Sequence, residues 1–366
     1  MRDVKIYRES DVPDMSILDG KIVAFIGYGN QGRSQALNLR DHGVNVIVGN
    51  ISDSYRERAN LDGFETFDIP EAIKRADVIF LLIPDEIQCD VYKTSIFPFL
   101  KSGSALVFAH GYNIAFNFII PPKDIDLLII APRMIGIGVR ECYLNGEGYF
   151  SFIGVGQNGT GKAQEILLAL TKGVGGLTKG ALETNFKEET VLDLFTEQGF
   201  GPASSSMLMK PMDILLEFGI PAEAILIEMI LSGKMKYTFN GIRDFGVING
   251  IKTMEDRSQY GILSRTIRYD KIFREISEIQ KPILQYIEDG GFAEEWEKKL
   301  TKLKFKVIKF FASRVGFGRL ETKVRKSLQM PEVDLWAETP YPTEEEIIRK
   351  QEIKQKLEDF QKYPEF

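Results

Sequence analysis

The sequence is poor in the residues that build disulfide frameworks and cysteine-based metal sites. It contains 2 cysteines and 2 histidines among 366 residues. Cys89 and Cys142 have no metal-ligand spacing, so we interpret both as buried small residues. A basic surplus is also missing, because the formal net charge is −6 at pH 7, whereas nucleic-acid binding requires a cationic surface. We therefore predict neither a disulfide scaffold nor a nucleic-acid partner.

Long apolar runs are absent as well. No stretch reaches the roughly 18 apolar residues that a membrane-spanning helix needs. Residues 1–15 carry charges throughout and lack the apolar centre of a secretory signal peptide. We therefore expect a cytoplasmic protein with no membrane partner. With 366 residues, 44% of them hydrophobic and 27% charged, the chain is long enough for two globular domains.

The first half of the chain alternates strand and helix patterns. Residues 21–27 (KIVAFIG) form a short apolar run, residues 31–42 have helical spacing, and residues 44–49 form the next apolar run. The alternation continues with a helix pattern at 69–75 and apolar runs at 77–83, 105–108, 127–130 and 151–155. This order predicts an α/β domain of the Rossmann type, with a doubly wound parallel sheet and right-handed crossovers.

The pattern changes after residue 183. Strand signals nearly vanish, and helical periodicity recurs at 188–197, 209–218, 222–232 and 269–288. We therefore predict a Rossmann domain at 1–183, an all-α domain at 184–330, and a charged C-terminal extension at 331–366 with a terminal helix at 343–361.

A glycine-rich turn directly follows the first apolar run and opens a helix. Its pattern, GYGNQG, matches the GxGxxG fingerprint of dinucleotide-binding turns. The first glycine permits the tight turn, the second lets backbone amides approach the pyrophosphate, and the third allows close helix–strand packing. The residues predicted to contact the dinucleotide here are Gly27, Tyr28, Gly29, Asn30, Gln31 and Gly32.

Two later segments are predicted to complete the cofactor site. In residues 49–56, Asp53 favours the free 2′-hydroxyl of NAD, whereas Ser52, Ser54 and Arg56 favour the 2′-phosphate of NADP. The sequence thus leaves NAD and NADP both open. Pro84 and Asp85 follow a third apolar run, at the edge where open α/β sheets bind ligands. The cofactor residues predicted in these two segments are Asn50, Ser52, Asp53, Ser54, Pro84 and Asp85.

Several polar residues further along are candidates for chemistry. His110 follows the run at 105–108, and Asp193 and Glu197 share a helix face four residues apart. Such a carboxylate pair suits a hard cation such as Mg²⁺. Glu228 lies in a largely apolar helix pattern. Each of these features also has an ordinary structural interpretation. The carboxylate pair fits a solvated helix face, His110 fits a structural histidine, and Glu228 fits one half of an ion pair at an interface.

The order of these features resembles the ketol-acid reductoisomerases (acetohydroxy acid isomeroreductases) of branched-chain amino-acid synthesis. Weaker similarities extend the resemblance over residues 1–298. The matching stretches are GYGNQGRSQALNLRDHGVNVIVGN, LLIPDEIQCDVY, ALVFAHGYNI, PPKDIDLLIIAPR, GKAQEILLALTKGVGG and ETNFKEETVLDLFTEQ. The resemblance implies a Rossmann domain with a knotted all-helical domain, a homodimer, NAD(P)H and two Mg²⁺ ions.

By position, the resemblance also implies roles for individual residues. Asp193 would bridge the metals, Glu197 would hold one of them, and Glu228 would reach the active site of the partner subunit. His110 matches the family's active-site histidine, beside the cofactor. In the family's reaction the metals polarise a 2-hydroxy ketone, assist an alkyl shift and orient the resulting 2-oxo acid for hydride transfer.

The departures from the family pattern include two that affect the expected proton chemistry and metal binding. The family's APKGPGH segment reads APRMIGI at 131–137, so that Arg133 replaces the active-site lysine, and Ser232 replaces a second helical glutamate. Arginine retains the charge but does not readily exchange a proton, and a lost carboxylate weakens cation binding, leaving one or two Mg²⁺ ions. Three hypotheses follow: a reductoisomerase acting on 2-acetolactate with catalytic residues His110, Arg133 and Glu197, a paralogue that only reduces another oxo acid or an imine, or a non-catalytic cofactor-binding regulator.

Overall fold

The computed structural model describes residues 3–12, 14–312 and 316–330, with the backbone alone at positions 312, 316 and 317. The described residues fall into two compact units, one up to Thr190 and one from Val191 onward. The domain boundary proposed at residue 183 stays a prediction. The predicted C-terminal extension and its terminal helix lie outside the described residues.

The first unit is built on one nine-stranded sheet with the order β1-β9-β8-β7-β6-β5-β2-β3-β4. The strands are β1 (Ile6–Tyr7), β2 (Ile22–Ile26), β3 (Asn45–Gly49), β4 (Glu65–Phe67), β5 (Val78–Leu81), β6 (Ala105–Phe108), β7 (Asp126–Pro132), β8 (Phe150–Gln157) and β9 (Gly180–Glu183). All pairings from β4 to β7 are parallel. The predicted Rossmann fold is therefore confirmed. Two pairings, β7–β8 and β1–β9, are antiparallel.

Helices connect these strands. They are α1 (Asn30–Asp41), α2 (Ser54–Leu61), α3 (Ile69–Arg75), α4 (Asp85–Val91), α5 (Tyr112–Ala115), α6 (Gly136–Leu144), α7 (Ala163–Gly173) and α8 (Phe186–Phe195), the last of which begins in this unit. A π-helical turn, Tyr92–Ile96, continues α4. Short 3₁₀ turns lie at Glu9–Asp11, Ser16–Leu18 and Phe97–Phe99.

The central strand β2 shows why the apolar runs become a buried sheet. Its side chains alternate between two apolar clusters: Val23 and Phe25 pack into one, and Ala24 and Ile26 pack into the other. The Phe25 ring stacks on Phe80 of β5 at 4.5 Å between ring centres. Because both faces are covered, the strand is apolar throughout rather than alternating with polar residues.

The second unit, as described, is helical. Its helices after α8 are α9 (Gly201–Glu217), α10 (Ala222–Leu226), α11 (Lys234–Phe245), α12 (Asp256–Thr266), α13 (Asp270–Glu288), α14 (Gly291–Trp296), α15 (Lys299–Ala312) and α16 (Gly316–Ser327). Two π-helical turns, Thr196–Phe200 and Ile227–Leu231, and two 3₁₀ turns, Asn249–Thr253 and Ile267–Tyr269, complete it. The helical second domain is therefore confirmed, while the knot stays a prediction. Among the described residues, no helix combines the length and apolar character that crossing a membrane requires.

Candidate active site

The glycine-rich turn joins the end of β2 to the start of α1. Gly27 has φ +96°, and its amide donates to the Gly49 carbonyl at 3.1 Å. A Cβ on Gly32 would overlap the carbonyl oxygen of Gly27, whereas a Cβ on Gly29 would meet nothing within 4 Å. The turn is therefore closed on its packed side and open at Gly29, the N-cap of α1, where backbone amides can face an anion.

A cavity of about 420 Å³ opens at this turn. It lies beside the carboxyl ends of β2, β3 and β5, the edge where open α/β sheets bind ligands. Its lining includes eight predicted cofactor residues: Gly27, Tyr28, Gly29, Asn30, Gln31, Asn50, Asp53 and Pro84. Apolar side chains complete it: Ile51, Tyr55, Ile69, Leu82, Ile83, Ile87 and Val91. The other predicted contacts, Gly32, Ser52, Ser54, Asp85 and His110, are not among its lining residues.

The loop after β3 presents a carboxylate to this cavity. Asp53 Oδ1 accepts from the Asn50 side chain at 2.7 Å and from the Arg56 backbone amide at 3.0 Å, and so caps α2. The Arg56 guanidinium instead contacts Asp68 at 2.6 Å and Thr66 at 3.3 Å. Arg56 is not among the lining residues, and Asp68 offsets its charge.

A second arginine near the turn is also paired. Arg33 of α1 donates to both carboxylate oxygens of Asp62, at 2.6 and 2.9 Å. The hydroxyl of Tyr28 donates to the same carboxylate at 2.9 Å. Burial, with the neighbouring Asp62 charge, raises the pKa of Tyr28 far above its usual range, so this hydroxyl remains a donor that ties the glycine turn to the end of α2.

Two polar side chains and one backbone amide meet around the carboxylate of Glu189, which has 1% of its side chain exposed. His110 Nδ1 lies 3.0 Å from Oε2, the Gly111 amide donates to Oε2 at 2.8 Å, and Arg133 Nη1 donates to Oε1 at 3.1 Å. A carboxylate acceptor requires the proton of the neutral imidazole to sit on Nδ1. Nε2 is then the unprotonated nitrogen, and it lies 3.9 Å from Asp85 Oδ2.

Glu189 is the residue that our sequence reasoning missed. It comes four residues before Asp193 in α8, so the i,i+4 spacing that selected Asp193 and Glu197 also extends back to it. Gly111 allows the approach of α8, because a Cβ there would lie 2.5 Å from the Phe186 carbonyl oxygen and 2.6 Å from Thr190 Oγ1. Within this dipeptide, Gly111 permits the close packing of α8, and His110 provides the polar side chain that contacts Glu189.

The segment that carries Arg133 is fixed to the first helix. Gln31 donates to the Met134 carbonyl at 3.0 Å, and Ser34 donates to the Gly136 carbonyl at 2.6 Å. The Arg133 guanidinium lies over the Phe152 ring at 4.9 Å. Because Gln31 also lines the dinucleotide cavity, the cluster around Glu189 is connected to the candidate cofactor site through α1.

Two of the three predicted metal ligands lie at irregular points of the second unit's helices. Asp193 is in α8, whereas Glu197 and Glu228 are each in a π-helical turn, a feature that is frequent at functional sites. Glu228 is exposed and pairs with Lys234. Within the part of the chain that the structure describes, no three potential ligands converge on one metal position.

Comparison with known proteins identifies the same combination of domains. Residues 17–180 match the family model of the acetohydroxy acid isomeroreductase NADPH-binding domain, and residues 186–329 match that of the ketol-acid reductoisomerase C-terminal domain. A relative from Saccharolobus solfataricus is 42% identical over 283 residues, which are 76% of this chain and 84% of the relative.

Two further comparisons carry named activities. The ketol-acid reductoisomerase (NADP(+)) of Pyrococcus abyssi is 40% identical over 301 residues, covering 82% of this chain and 89% of that protein. A solved structure of an NADH-preferring ketol-acid reductoisomerase from an uncultured archaeon superposes with a TM-score of 0.81 at 33% identity. It covers 88% of this chain and 98% of that chain.

Proposed function

The chain belongs to the ketol-acid reductoisomerase family and is therefore an NAD(P)-dependent oxidoreductase, and we propose that its substrate is 2-acetolactate or a closely related ketol acid. The observation that carries the proposal is the Glu189 cluster, which joins His110 and Arg133 next to the helix that opens the dinucleotide cavity. A small oxo acid needs such a cationic and proton-exchanging site beside the hydride donor.

In this proposal each residue of the cluster has a different role. The Nδ1–H of His110 donates to Glu189, which fixes the ring and leaves Nε2 to exchange a proton with the substrate oxygen. Arg133 compensates the buried carboxylate, and its planar guanidinium suits the carboxylate of an acid substrate. Bound NAD(P)H would supply the hydride.

Asp193 and Glu197 are the proposed Mg²⁺ ligands. Mg²⁺ characteristically binds one or two protein carboxylates together with water and substrate oxygens, so this pair fits the ion without a third ligand from the same protomer. Glu228 would contribute from the partner subunit. The bound ion would polarise the ketol oxygens. Calorimetric titration with Mg²⁺ tests this: Asp193→Asn should weaken binding at least tenfold, and equal affinity would refute the assignment.

The substrate is tested by mixing the purified protein with Mg²⁺, 2-acetolactate and either NADH or NADPH. We expect loss of the reduced cofactor's absorbance and formation of a 2,3-dihydroxy acid. If neither cofactor is oxidised while both bind, the reductoisomerase proposal fails. A parallel reaction with the already isomerised 2-oxo acid separates failure of the alkyl shift from failure of hydride transfer.

Arg133 favours a second candidate function, reduction of a 2-oxo acid or an imine without alkyl migration. Its guanidinium is held by Glu189 and does not readily exchange a proton, whereas hydride transfer can still use Nε2 of His110. This candidate predicts turnover of the isomerised 2-oxo acid and none of 2-acetolactate. Turnover of both at comparable kcat would exclude it.

The loop at 50–56 supports NADH as the preferred cofactor. Asp53 lines the cavity, and a carboxylate repels a 2′-phosphate but accepts a hydrogen bond from a 2′-hydroxyl. The two nearby arginines, Arg33 and Arg56, are each paired with an aspartate. The named relatives include both an NADP(+) enzyme and an NADH-preferring one, so the preference rests on this chain's own loop.

The preference is measured as the ratio of kcat/KM for NADH to that for NADPH. Asp53→Asn removes the carboxylate charge and should lower this ratio about tenfold, which corresponds to about 1.4 kcal/mol. Asp68→Asn should also lower it, because it releases the Arg56 guanidinium. The control Asp90→Asn, on a helix face of α4, should leave the ratio unchanged. A ratio below one in the unmodified enzyme would contradict NADH preference.

A homodimer is the proposed assembly. The second unit exposes an unusual number of large apolar side chains, a feature that marks protein interfaces. They include Tyr237, Phe239, Phe245, Val247, Tyr260 and Ile267. Light scattering coupled to gel filtration should give a mass of twice 41.5 kDa or a multiple of that, and a monomer at enzyme working concentrations would refute the proposal.

A further inference from the structure

Asp85 lies beside His110 rather than in the lining of the dinucleotide cavity. We predicted it as a cofactor contact, but it is not among the residues that line that cavity. Its Oδ2 instead lies 3.9 Å from His110 Nε2, while Glu189 Oε2 lies 3.0 Å from Nδ1 of the same ring. The imidazole therefore has a carboxylate next to each of its two nitrogens.

The position of Asp85 is fixed by the segment that carries His110. Asn113 of this segment donates from Nδ2 to the Asp85 backbone carbonyl at 3.0 Å and to Gln88 Oε1 at 3.0 Å. Gln88 in turn donates to the Ile83 carbonyl at 2.9 Å. The side chains of Asn113 and Gln88 are both buried, so these amides hold the start of α4 at a defined distance from the imidazole.

The two carboxylates favour the charged form of the imidazole, which carries a proton on both nitrogens. In the neutral ring with its proton on Nδ1, the Nε2 lone pair faces the negative oxygen of Asp85. In the charged ring an N–H group faces that oxygen, and the contact becomes attractive. Water screens the contact only in part, because the side chains of His110 and Asp85 are 23% and 30% exposed.

Other groups around the ring leave the balance to Asp85. Arg133, which follows β7, shares the Glu189 carboxylate with His110 and so offsets part of its charge. Tyr112 of α5 stacks on the imidazole at 6.3 Å between ring centres, and a phenol is uncharged near neutral pH. The carboxylate of Asp85 therefore determines how strongly Nε2 holds its proton.

We propose that Asp85 is a positioning residue that keeps a proton on His110 Nε2 for transfer to the substrate oxygen. The inference rests on the proposed reduction of a carbonyl group. In that step the hydride of NAD(P)H bonds to the carbonyl carbon, the π electrons move to the oxygen, and the oxygen takes the Nε2 proton. The cofactor is left as NAD(P)⁺, and His110 is left neutral with its other proton on Nδ1, toward Glu189. Solvent then returns the lost proton.

The test is an NMR titration of the purified full-length chain without substrate. The sequence has 2 histidines, so ¹³C-histidine labelling gives two Cε1–Hε1 signals, which are followed from about pH 5 to 9. The variant His42→Gln identifies the signal of His110. Removing the carboxylate makes the charged ring easier to deprotonate, so Asp85→Asn should raise the acid dissociation constant of His110 at least about fivefold. The signal of His42 should titrate as before.

Two further variants separate the contact from the general charge of α4. Glu86→Gln makes the same chemical change at the next residue, which is exposed, and should alter the constant less than about twofold because water and salt screen that charge. Asp85→Glu keeps the carboxylate, so its constant should lie nearer to that of the unmodified chain than to that of Asp85→Asn. Circular dichroism shows that each variant keeps its fold.

The pH profile of kcat/KM gives a second readout. Because the charged ring is the proton donor, activity should be lost as the pH rises through the titration of His110. Asp85→Asn should move this alkaline limb to lower pH by the same factor that the NMR titration gives. A variant that lowers kcat/KM equally at every pH would show a structural role and overturn the proposal.

The NMR titration can also overturn it directly. The proposal is wrong if Asp85→Asn leaves the titration midpoint of His110 unchanged or raises it. An equal fall in Glu86→Gln would assign the effect to the general field of α4 and not to the contact. Because this titration needs no substrate, its failure is distinct from a failure of the enzyme to reduce 2-acetolactate.

Discussion

Glu189 and Arg133 form an ion pair of 3.1 Å whose carboxylate is 1% exposed. A carboxylate withdrawn from water this completely is stable only when donors replace the lost hydration. Here His110, Gly111 and Arg133 provide them. One buried group therefore couples the orientation of the histidine to the presence of the arginine, and each partner can be changed separately.

The first prediction concerns Glu189→Gln. The amide cannot accept from all of these donors, so His110 loses its fixed tautomer and ring orientation, and kcat should fall about 100-fold, the usual contribution of a positioned acid–base group. The pH profile of kcat/KM should change in shape and not only in height. Glu188→Gln, the same chemical change one residue away, is the control. A height change alone would show that Glu189 has only a structural role.

The second prediction separates charge from shape at position 133. Arg133→Met leaves the buried carboxylate without its cation and should destabilise the protein by about 3 kcal/mol. Arg133→Lys keeps the charge but loses the planar donor geometry, so its stability should lie between those of the methionine variant and the unmodified chain. Urea unfolding measures all three, and equal loss in both variants would show that the charge contributes nothing.

The third prediction concerns the closed side of the glycine turn. Gly32→Ala places a methyl group against the Gly27 carbonyl, which must open the turn, so NADH affinity should fall at least tenfold. Gly241→Ala in α11 is the matched control, because a Cβ there meets nothing within 4 Å, and it should stabilise its helix by about 0.5–1 kcal/mol. Calorimetric titration with NADH distinguishes the two, and unchanged affinity in Gly32→Ala would contradict the role of the turn.

The central sheet was predictable because its strands are buried on both faces and read as apolar runs. The edge strands were not predictable. Strand β1 has two residues and β4 has three, so neither is long enough to show the apolar run or the apolar–polar alternation that indicates a strand. Strand β8 was found, but its antiparallel pairing to β7 depends on how the chain returns through α6, which composition does not encode.

The candidate site was predictable where backbone shape dictates residue type and less so where packing does. Gly27 and Gly32 are required by the turn itself, so the pattern reveals them. Glu189 lies in a charged helix segment that is typical of a solvated face. It is buried because α8 packs closely against Gly111, which has no side chain to prevent the approach. Arg56 was weighed as a 2′-phosphate contact, but its pairing with Asp68 is a tertiary interaction.

The last prediction concerns Tyr92, whose hydroxyl is buried without a hydrogen-bond partner among the described residues. An unsatisfied buried hydroxyl costs about 1–3 kcal/mol, so Tyr92→Phe should raise the free energy of unfolding by about 1 kcal/mol. Tyr149→Phe is the control: its hydroxyl donates to the Val174 carbonyl, and its loss should destabilise the protein.

The same tyrosine gives a pH dependence. Burial raises the pKa of Tyr92 to about 12 from 10.0. Ionisation therefore favours the unfolded chain: the tyrosine's contribution to stability is complete below pH 10 and is lost as the pH rises through about 12. Tyr92→Phe should flatten the fall in stability over this range, measured by urea unfolding at several pH values. If the phenylalanine variant loses stability as steeply as the unmodified chain, Tyr92 is not the group that titrates.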